Sequence, residues 1–311
     1  MSYAVIFPGQ GAATPGAGHT WTDHPAWAVV AEAEDTLGRP LARLLLEADA
    51  AELATTRASQ LAVLLGSLVA WEALRADVVQ APVAFAGHSL GQITALIAAG
   101  AVDRADGLRL AARRADLSQE SADTNPGRMA ALVGTDLDVA GRVVEGLDGV
   151  WVANDNAPGQ VVIAGTPAGL DAAAERAREL GVRRVMPLDV GHAFHTPLLA
   201  DAAEGLRPLL DATTFCEPTA PVVSNTDALG HTDPACWPDQ LARHLVEPVR
   251  WRESQRTLEA SGAATFVEAG PGKVLAGLAK RAVPGVTVLD LTTPADLPPV
   301  AGALVPTGAT R

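Results

Sequence analysis

A serine flanked by two glycines, in the run GHSLG at residues 87–91, lies between two segments of different periodicity. The apolar run 81–86 before it indicates a short buried strand, and the apolar spacing over 93–97 predicts a helix that ends at Gly100. A strand, a sharp turn and a helix around GxSxG are typical of a nucleophile elbow, which exposes the serine hydroxyl at the end of a sheet strand. The bare pattern also fits an ordinary Gly-Ser turn before a helix. Ser89 is therefore a candidate nucleophile, and its surroundings indicate an α/β fold.

Two successive patterns of strands and helices divide the sequence. The middle part shows strands and helices in the order βαββαβ, which is that of a ferredoxin-like unit. We therefore predict an α/β fold in which a large α/β-hydrolase-like domain, residues 1–127 and 191–291, carries an inserted ferredoxin-like small subdomain, residues 128–190. Residues 292–311, rich in Pro, Ala and Gly, are expected to form a loosely ordered C-terminal tail. The elements of the middle part are predicted at 129–133, 138–146, 150–153, 161–164, 167–180 and 182–188.

Charge and apolar segments argue against several classes of protein. There are 23 basic and 36 acidic side chains, and the resulting formal charge of −13 argues against a nucleic-acid-binding surface. The longest apolar stretches, near 61–71 and 93–102, are too short to span a bilayer, and the N-terminus lacks the features of a signal peptide. Cys216 and Cys236 have no metal-ligand spacing. We expect a cytoplasmic monomer that binds no metal, nucleic acid or membrane.

A second glycine-containing turn, Phe7-Pro8-Gly9-Gln10-Gly11, follows a short apolar strand at 3–7. A backbone N–H in such a turn can supply half of an oxyanion hole, with the Leu90 N–H supplying the other half. Taken alone, the same residues also fit a plain exit from strand to loop.

Together these motifs resemble the malonyl-CoA:acyl carrier protein transacylase family, which includes the acyltransferase domains of fatty acid and polyketide synthases. Three further segments are similar to the family and follow in the expected order: ANDNAPGQVVIAG at 153–165, HAFH at 192–195 and EAGPGKVL at 268–275. The resemblance extends over the chain up to the tail.

The resemblance implies a base for the serine. A serine hydroxyl at its ordinary pKa is a poor nucleophile, and the family's base corresponds to His195. The resemblance also implies oxyanion donors at the Gln10 and Leu90 N–H groups. In the family a backbone carbonyl holds the other N–H of the histidine, and we assign that carbonyl to Arg250 within EPVRW at 247–251. A carbonyl fixes the tautomer as a triad Asp would, so a Ser–His dyad is expected.

The family keeps an arginine for the free carboxylate of the acyl group, and Arg114 matches it. A guanidinium can bind a carboxylate through two parallel hydrogen bonds, which favours a dicarboxylic acyl unit such as malonyl. Its neighbour Arg113 has the ordinary interpretation of a solvated helix arginine. The resemblance further implies that Gln60 and His88 line the acyl pocket.

Selectivity between acyl units is indicated by the HAFH run. It is similar to that of malonyl-selective domains, whereas methylmalonyl-selective ones carry Tyr-Ala-Ser-His, and a bulky Phe194 narrows the space beside the α-carbon. Discrimination by one methyl group amounts to only ~1–3 kcal/mol, so we expect a preference for malonyl and not a strict exclusion of methylmalonyl. Gln92 stands where the family usually has Glu, which leaves the details of substrate range open.

The function implied is transfer of a malonyl group from malonyl-CoA to the phosphopantetheine thiol of an acyl carrier protein, in fatty acid or trans-acting polyketide biosynthesis. The intermediate is a malonyl ester of Ser89, and no cofactor is implied. Three alternatives remain at this point: a hydrolase that clears acyl groups from carrier proteins, a transacylase for another dicarboxylic unit, and a non-catalytic scaffold that binds carrier proteins. The last is disfavoured because a scaffold has no need of both Ser89 and His195.

Overall fold

A computed structural model describes residues 2–304 of the 311-residue chain. Its strands are β1 (Tyr3–Phe7), β2 (Ala84–Gly87), β3 (Arg128–Val133), β4 (Val150–Ala157), β5 (Gln160–Gly165), β6 (Arg184–Leu188), β7 (Val222–Val223), β8 (Gly230–His231), β9 (Thr265–Ala269) and β10 (Thr287–Leu291). Its α-helices are α1 (Ala28–Leu37), α2 (Ala42–Leu46), α3 (Ala50–Leu53), α4 (Thr56–Asp77), α5 (Gly91–Ala98), α6 (Arg104–Thr124), α7 (Leu137–Val144), α8 (Pro167–Glu179), α9 (Ala200–Ala212), α10 (Trp237–Val246), α11 (Trp251–Ala260), α12 (Val274–Ala282) and α13 (Leu297–Leu304).

The larger sheet has the strand order β10-β9-β1-β2-β7-β8. All its pairings are parallel except that of the short edge strand β8. Strands β1, β2 and β9 are buried along their whole length, as expected for a parallel sheet that is covered on both faces. Helices α4, α5 and α6 pack on one face, and α11 and α12 pack on the other.

The smaller sheet has the strand order β4-β5-β3-β6 and is antiparallel throughout. Helices α7 and α8 cover one of its faces. The opposite face contributes Met129, Ala131 and Val162 to the same apolar core as the larger sheet. This βαββαβ unit, inserted between β2 and β7 of a parallel sheet, confirms the predicted fold class.

The carboxyl ends of β1, β2 and β7 lie side by side, because these strands are parallel neighbours. The turn after β2 is attached to β1 by a hydrogen bond from the His88 N–H to the Phe7 carbonyl, 3.0 Å. Strand β4 is held near these carboxyl ends by two backbone hydrogen bonds of 2.9 Å. They run from the Val249 N–H to the Ala153 carbonyl and from the Asp155 N–H to the Val249 carbonyl. In such sheets, ligands bind beyond the carboxyl ends of the strands.

The expectation of a loosely ordered tail from residue 292 is wrong for residues 292–304. Asp296 accepts hydrogen bonds from the N–H groups of Thr292 and Thr293 and thereby starts a short turn that continues into α13. Leu297 and Val300 of α13 are buried, and the helix packs on α4. The helix was not predicted from the sequence because two prolines follow Leu297, although proline is tolerated in the first turn of a helix. Residues 305–311 of the expected tail lie outside the described residues.

Helix α4 has 22 residues and is largely buried in the centre of the larger domain. Polar side chains such as Ser59, Gln60 and Ser67 interrupt its apolar surface. Across residues 2–304, none of the helices combines the length and the apolar character that crossing a membrane requires.

Candidate active site

Ser89 occupies the turn between β2 and α5 with a φ of +53°, in the left-handed region. For a residue other than glycine this conformation costs about 1–2 kcal/mol. The turn leaves no room for a side chain at either glycine. A Cβ on Gly87 would lie 1.8 Å from the Gly91 carbonyl oxygen, and one on Gly91 would lie 2.3 Å from the Phe7 carbonyl oxygen. The predicted strand, turn and helix are therefore present as a strained elbow.

The Ser89 hydroxyl lies against a histidine. The distance from Ser89 Oγ to His195 Nε2 is 2.8 Å, and His195 is buried with a φ of +60° in the loop after the small sheet. Its Nδ1 lies 2.8 Å from the His244 carbonyl oxygen. Because a carbonyl only accepts hydrogen bonds, the proton is on Nδ1 and Nε2 is free to accept the serine proton.

The assignment of that carbonyl to Arg250 is wrong. The Arg250 carbonyl accepts hydrogen bonds from the N–H and the hydroxyl of Ser254 in α11, both at 2.9 Å. The His244 carbonyl is available because it lies in the last turn of α10 and the residue four positions later is Pro248, which has no N–H to donate. The carbonyl lies six positions earlier than predicted, in α10 and before the predicted segment 247–251.

The surroundings of His195 favour its neutral form. Burial, followed by the positive charge of Arg114, lowers the pKa of His195 from 6.5 to about 3. The ring of His244 stacks on it with centroids 5.1 Å apart, and burial holds the pKa of His244 well below its usual range as well. His195 is therefore ready to act as a base throughout the neutral range.

Arg114 on α6 is buried and directed at the nucleophile. Its Nη2 donates to Ser89 Oγ at 3.1 Å and its Nη1 donates to Gln60 Oε1 at 2.6 Å. Gln60 in turn donates through Nε2 to Gln10 Oε1 at 3.2 Å. Burial lowers the pKa of Arg114 to about 10, so the group remains charged at neutral pH, and it has no carboxylate partner among residues 2–304. The structure thus brings Arg114, Gln60 and Gln10 together beside Ser89.

The two predicted oxyanion donors follow the two glycine-containing turns. Gln10 lies in the loop after β1, and Leu90 immediately precedes α5. Within the described part of the chain, neither backbone N–H has a hydrogen-bond partner. Leu90 is at the amino end of α5, where the positive end of the helix dipole adds to its N–H. Both N–H groups therefore stay the predicted donors to a negatively charged oxygen that forms next to Ser89.

A cavity of about 380 Å³ lies between the two sheets over the elbow. Its lining includes Gln10, His88, Ser89 and the rings of Phe194 and His195. His88 is held through Nε2, 2.9 Å from Asn156 Oδ1 on β4, and Phe194 packs edge-on against His192 with centroids 5.7 Å apart. A larger cleft of about 890 Å³ opens at the amino ends of the strands, around Tyr3 and Trp71, away from the Ser89–His195 pair. The smaller cavity is the one that contains the chemistry.

The structure adds residues that the motifs did not single out. Asn156 supports His88, the His244 carbonyl orients His195, and Asn225 accepts a hydrogen bond from the Ser89 N–H. A signal was present for Asn225, since it is the second residue after β7, beyond the carboxyl end of a strand next to the elbow. In the part of the chain that the structure covers, no group of three or more His, Cys, Asp or Glu side chains could hold a metal ion.

This fold and this pairing of a strained serine with a buried histidine define a serine-dependent α/β enzyme that forms acyl esters. The comparison with known families agrees: the acyl transferase domain family matches residues 4–293. The chain belongs to this family.

Individual relatives cover nearly the whole chain. It is 39% identical over 284 residues to the malonyl CoA-acyl carrier protein transacylase of Bacillus subtilis, covering 89% of each chain. It is 37% identical to the protein of the same name from Escherichia coli K12, covering 94% of this chain and 96% of the relative. A type II polyketide synthase malonyl-transacylase, solved with its acyl-carrier protein, is 33% identical with a TM-score of 0.93 and covers 97% of this chain and all 100% of its own.

The low pKa of His195 predicts an unusual pH dependence. The neutral ring is the active base, so lowering its pKa to about 3 extends the active range to lower pH. We expect kcat/KM for acylation of Ser89 by an acyl thioester, which reports the free enzyme, to stay level from about pH 8 to about pH 5. Circular dichroism at each pH serves as the control for folding. A fall centred near 6.5, the ordinary histidine value, in a protein that is still folded would contradict the assignment.

Proposed function

We propose that this protein transfers a malonyl group from malonyl-CoA to the phosphopantetheine thiol of an acyl carrier protein, through a malonyl ester on Ser89. The observation that carries the proposal is the buried Arg114, whose Nη2 is 3.1 Å from Ser89 Oγ. Transfer chemistry needs the Ser89–His195 pair, whereas choice of a malonyl group needs a cation beside it. The names of the relatives point to the same substrates.

Arg114 supports a substrate with a free carboxylate. A buried charge without an opposite charge is costly, and Gln60 offers Arg114 only a neutral oxygen. The malonyl group places its carboxylate two bonds beyond the ester carbonyl, which is within reach of a guanidinium that already contacts Ser89 Oγ. An acetyl group has no such charge and would leave Arg114 unpaired. A hydrolase for simple acyl groups would gain nothing from this arrangement.

The first half of the proposed cycle loads the serine. His195 Nε2 takes the hydroxyl proton as Ser89 Oγ attacks the thioester carbonyl of malonyl-CoA. The resulting oxyanion is stabilised by the N–H groups of Gln10 and Leu90. The carbon–sulfur bond then breaks, and the CoA thiolate leaves with the proton that His195 held. Malonyl-O-Ser89 remains, with its carboxylate on Arg114.

The second half reverses these steps with another thiol. The pantetheine thiol of the carrier protein gives its proton to His195 and attacks the ester carbonyl, and Ser89 Oγ leaves and recovers the proton. One chain supplies every group that the cycle uses. The cycle needs no metal ion or redox cofactor.

Phe194 supports a preference for malonyl over its methyl-branched analogue. Its ring lines the cavity next to His195 and is held edge-on against His192, whose Nε2 is 3.1 Å from Ser121 Oγ on α6. A ring fixed in this way cannot easily move aside for a methyl group on the α-carbon.

The acyl ester itself is the direct test of the proposal. Exposure to malonyl-CoA should add one malonyl group to the peptide that contains Ser89, as measured by mass spectrometry, and a phosphopantetheinylated carrier protein should remove it. Ser89→Ala should abolish the adduct because no oxygen remains to be acylated. An unmodified Ser89 in the folded wild-type protein would refute the proposal.

Replacing the guanidinium should change which acyl group is preferred. In Arg114→Ala, the ratio of malonyl to acetyl transfer, measured as kcat/KM with each CoA ester, should fall about 100-fold, because two charge-assisted hydrogen bonds to the carboxylate are lost. Arg113→Ala is the matched control, since Arg113 lies next to it on α6 but is exposed. Equal losses with both esters would show that Arg114 does not bind the carboxylate.

Removing the ring of Phe194 should relax the preference. In Phe194→Ala, the ratio of methylmalonyl to malonyl transfer should rise about tenfold in a competition assay, which is the scale expected for one methyl group. Phe215→Ala, at a half-buried phenylalanine that does not line the cavity, is the control. An unchanged ratio would show that Phe194 does not determine the preference for malonyl over methylmalonyl.

A further inference from the structure

The side-chain amide of Asn225 closes over the elbow from the neighbouring strand. Its Nδ2 donates to the Gly87 carbonyl at 2.8 Å, and its Oδ1 accepts from the Ser89 N–H at 2.9 Å. The carbonyl belongs to the residue two positions before the nucleophile, and the N–H belongs to the nucleophile itself. We propose that Asn225 is a positioning residue that holds Ser89 in its reactive conformation, and that Gln92 fixes the orientation of Asn225. The inference rests on the proposed transfer through Ser89.

The elbow requires such a support because its conformation is unfavourable by itself. With φ at +53°, Ser89 would relax towards an ordinary backbone conformation unless its surroundings prevented this. The two hydrogen bonds from one planar amide set the separation of the Gly87 carbonyl and the Ser89 N–H. They also engage the Ser89 N–H, so that the next N–H, that of Leu90, is the one left for the oxyanion.

Gln92 holds Asn225 in the same way that Asn225 holds the elbow. Its Oε1 accepts from the Asn225 N–H at 2.9 Å, and its Nε2 donates to the Val223 carbonyl at 3.3 Å. The Asn225 carbonyl accepts from the Arg250 N–H at 2.9 Å. Asn225 and Gln92 are 0% and 1% exposed.

Each of the two amides faces one N–H and one carbonyl, which permits only one orientation of its oxygen and nitrogen. A carboxylate at either position could accept but not donate, and would face a carbonyl oxygen. This accounts for the role of an amide at residue 92: it satisfies both Asn225 and Val223, whereas Glu could satisfy both only when protonated.

The main test compares Asn225→Leu with a control in the same loop. Asn225 does not touch the substrate, so Asn225→Leu should lower kcat for malonyl transfer about 100-fold, the scale of a nucleophile misplaced by about 1 Å, and leave KM for malonyl-CoA within about twofold. Ser224→Ala removes buried hydrogen bonds to Thr226 and Gln240 from the same loop without touching the elbow, and should keep wild-type kcat. The thermal midpoint is measured for both variants.

The conservative variant Asn225→Asp gives a readout that general destabilisation would not produce. The ionised carboxylate can accept from Ser89 but repels the Gly87 carbonyl, whereas the protonated acid can donate to it as Asn225 does. The loss of kcat relative to wild type should therefore be about 100-fold near pH 8 and shrink below about tenfold near pH 5. The ionisable groups around the elbow, His88, Arg114 and His195, and the Arg250–Glu253 pair beyond Asn225, are common to both proteins and cancel in this ratio.

The outcomes separate this inference from the proposed function. If wild-type protein forms no malonyl ester, the function fails; if it does and Asn225→Leu keeps kcat within about threefold, the positioning role fails. An equal loss in Ser224→Ala, or a ratio for Asn225→Asp that does not change with pH, would also overturn it.

Discussion

The left-handed backbone of Ser89 is the constraint on which the rest of the site depends. It makes the chain turn sharply between β2 and α5. The Ser89 hydroxyl therefore projects beyond the edge of the sheet, and the amino end of α5 points toward it. The close contacts of Gly87 with Gly91, and of Gly91 with Phe7, then fix the distance between β1 and the elbow. The loop that carries Gln10 follows β1, so the same packing also sets the spacing of the two proposed oxyanion donors, Gln10 and Leu90.

The cavity forms only because the small sheet is inserted into the larger domain. The inserted sheet supplies Asn156 to His88 from β4, and the chain returning from β6 carries Phe194 and His195. The larger domain supplies the nucleophile, Arg114 and the His244 carbonyl. A shared apolar core and the backbone hydrogen bonds between Val249 and β4 hold the small sheet against the larger domain. The chemistry therefore takes place at a boundary between two units that each have a separate sheet.

The features that could be predicted from the sequence are those encoded locally. The elbow, the βαββαβ order and the helix boundaries depend on glycine positions and apolar spacing within short windows. The His244 carbonyl could not be found by residue type, because every residue has a carbonyl; what distinguishes it is Pro248 four residues later, which frees it from the helix. Asn225 was missed for a similar reason, since its role arises from strand pairing between β2 and β7. Helix α13 was missed because two prolines outweighed the apolar spacing of Leu297, Val300 and Leu304.

The use of a carbonyl, rather than a carboxylate, to orient the histidine follows from the charge of Arg114. That charge is close enough to lower the pKa of both His195 and His244. A carboxylate behind His195 would attract the same guanidinium, raise the pKa of the base and compete with the carboxylate of the acyl group. A neutral carbonyl fixes the tautomer without doing any of these. If Arg114 binds the substrate carboxylate as proposed, the histidine has to be held by a group that carries no charge, and the Ser89–His195 dyad with a backbone carbonyl meets this requirement.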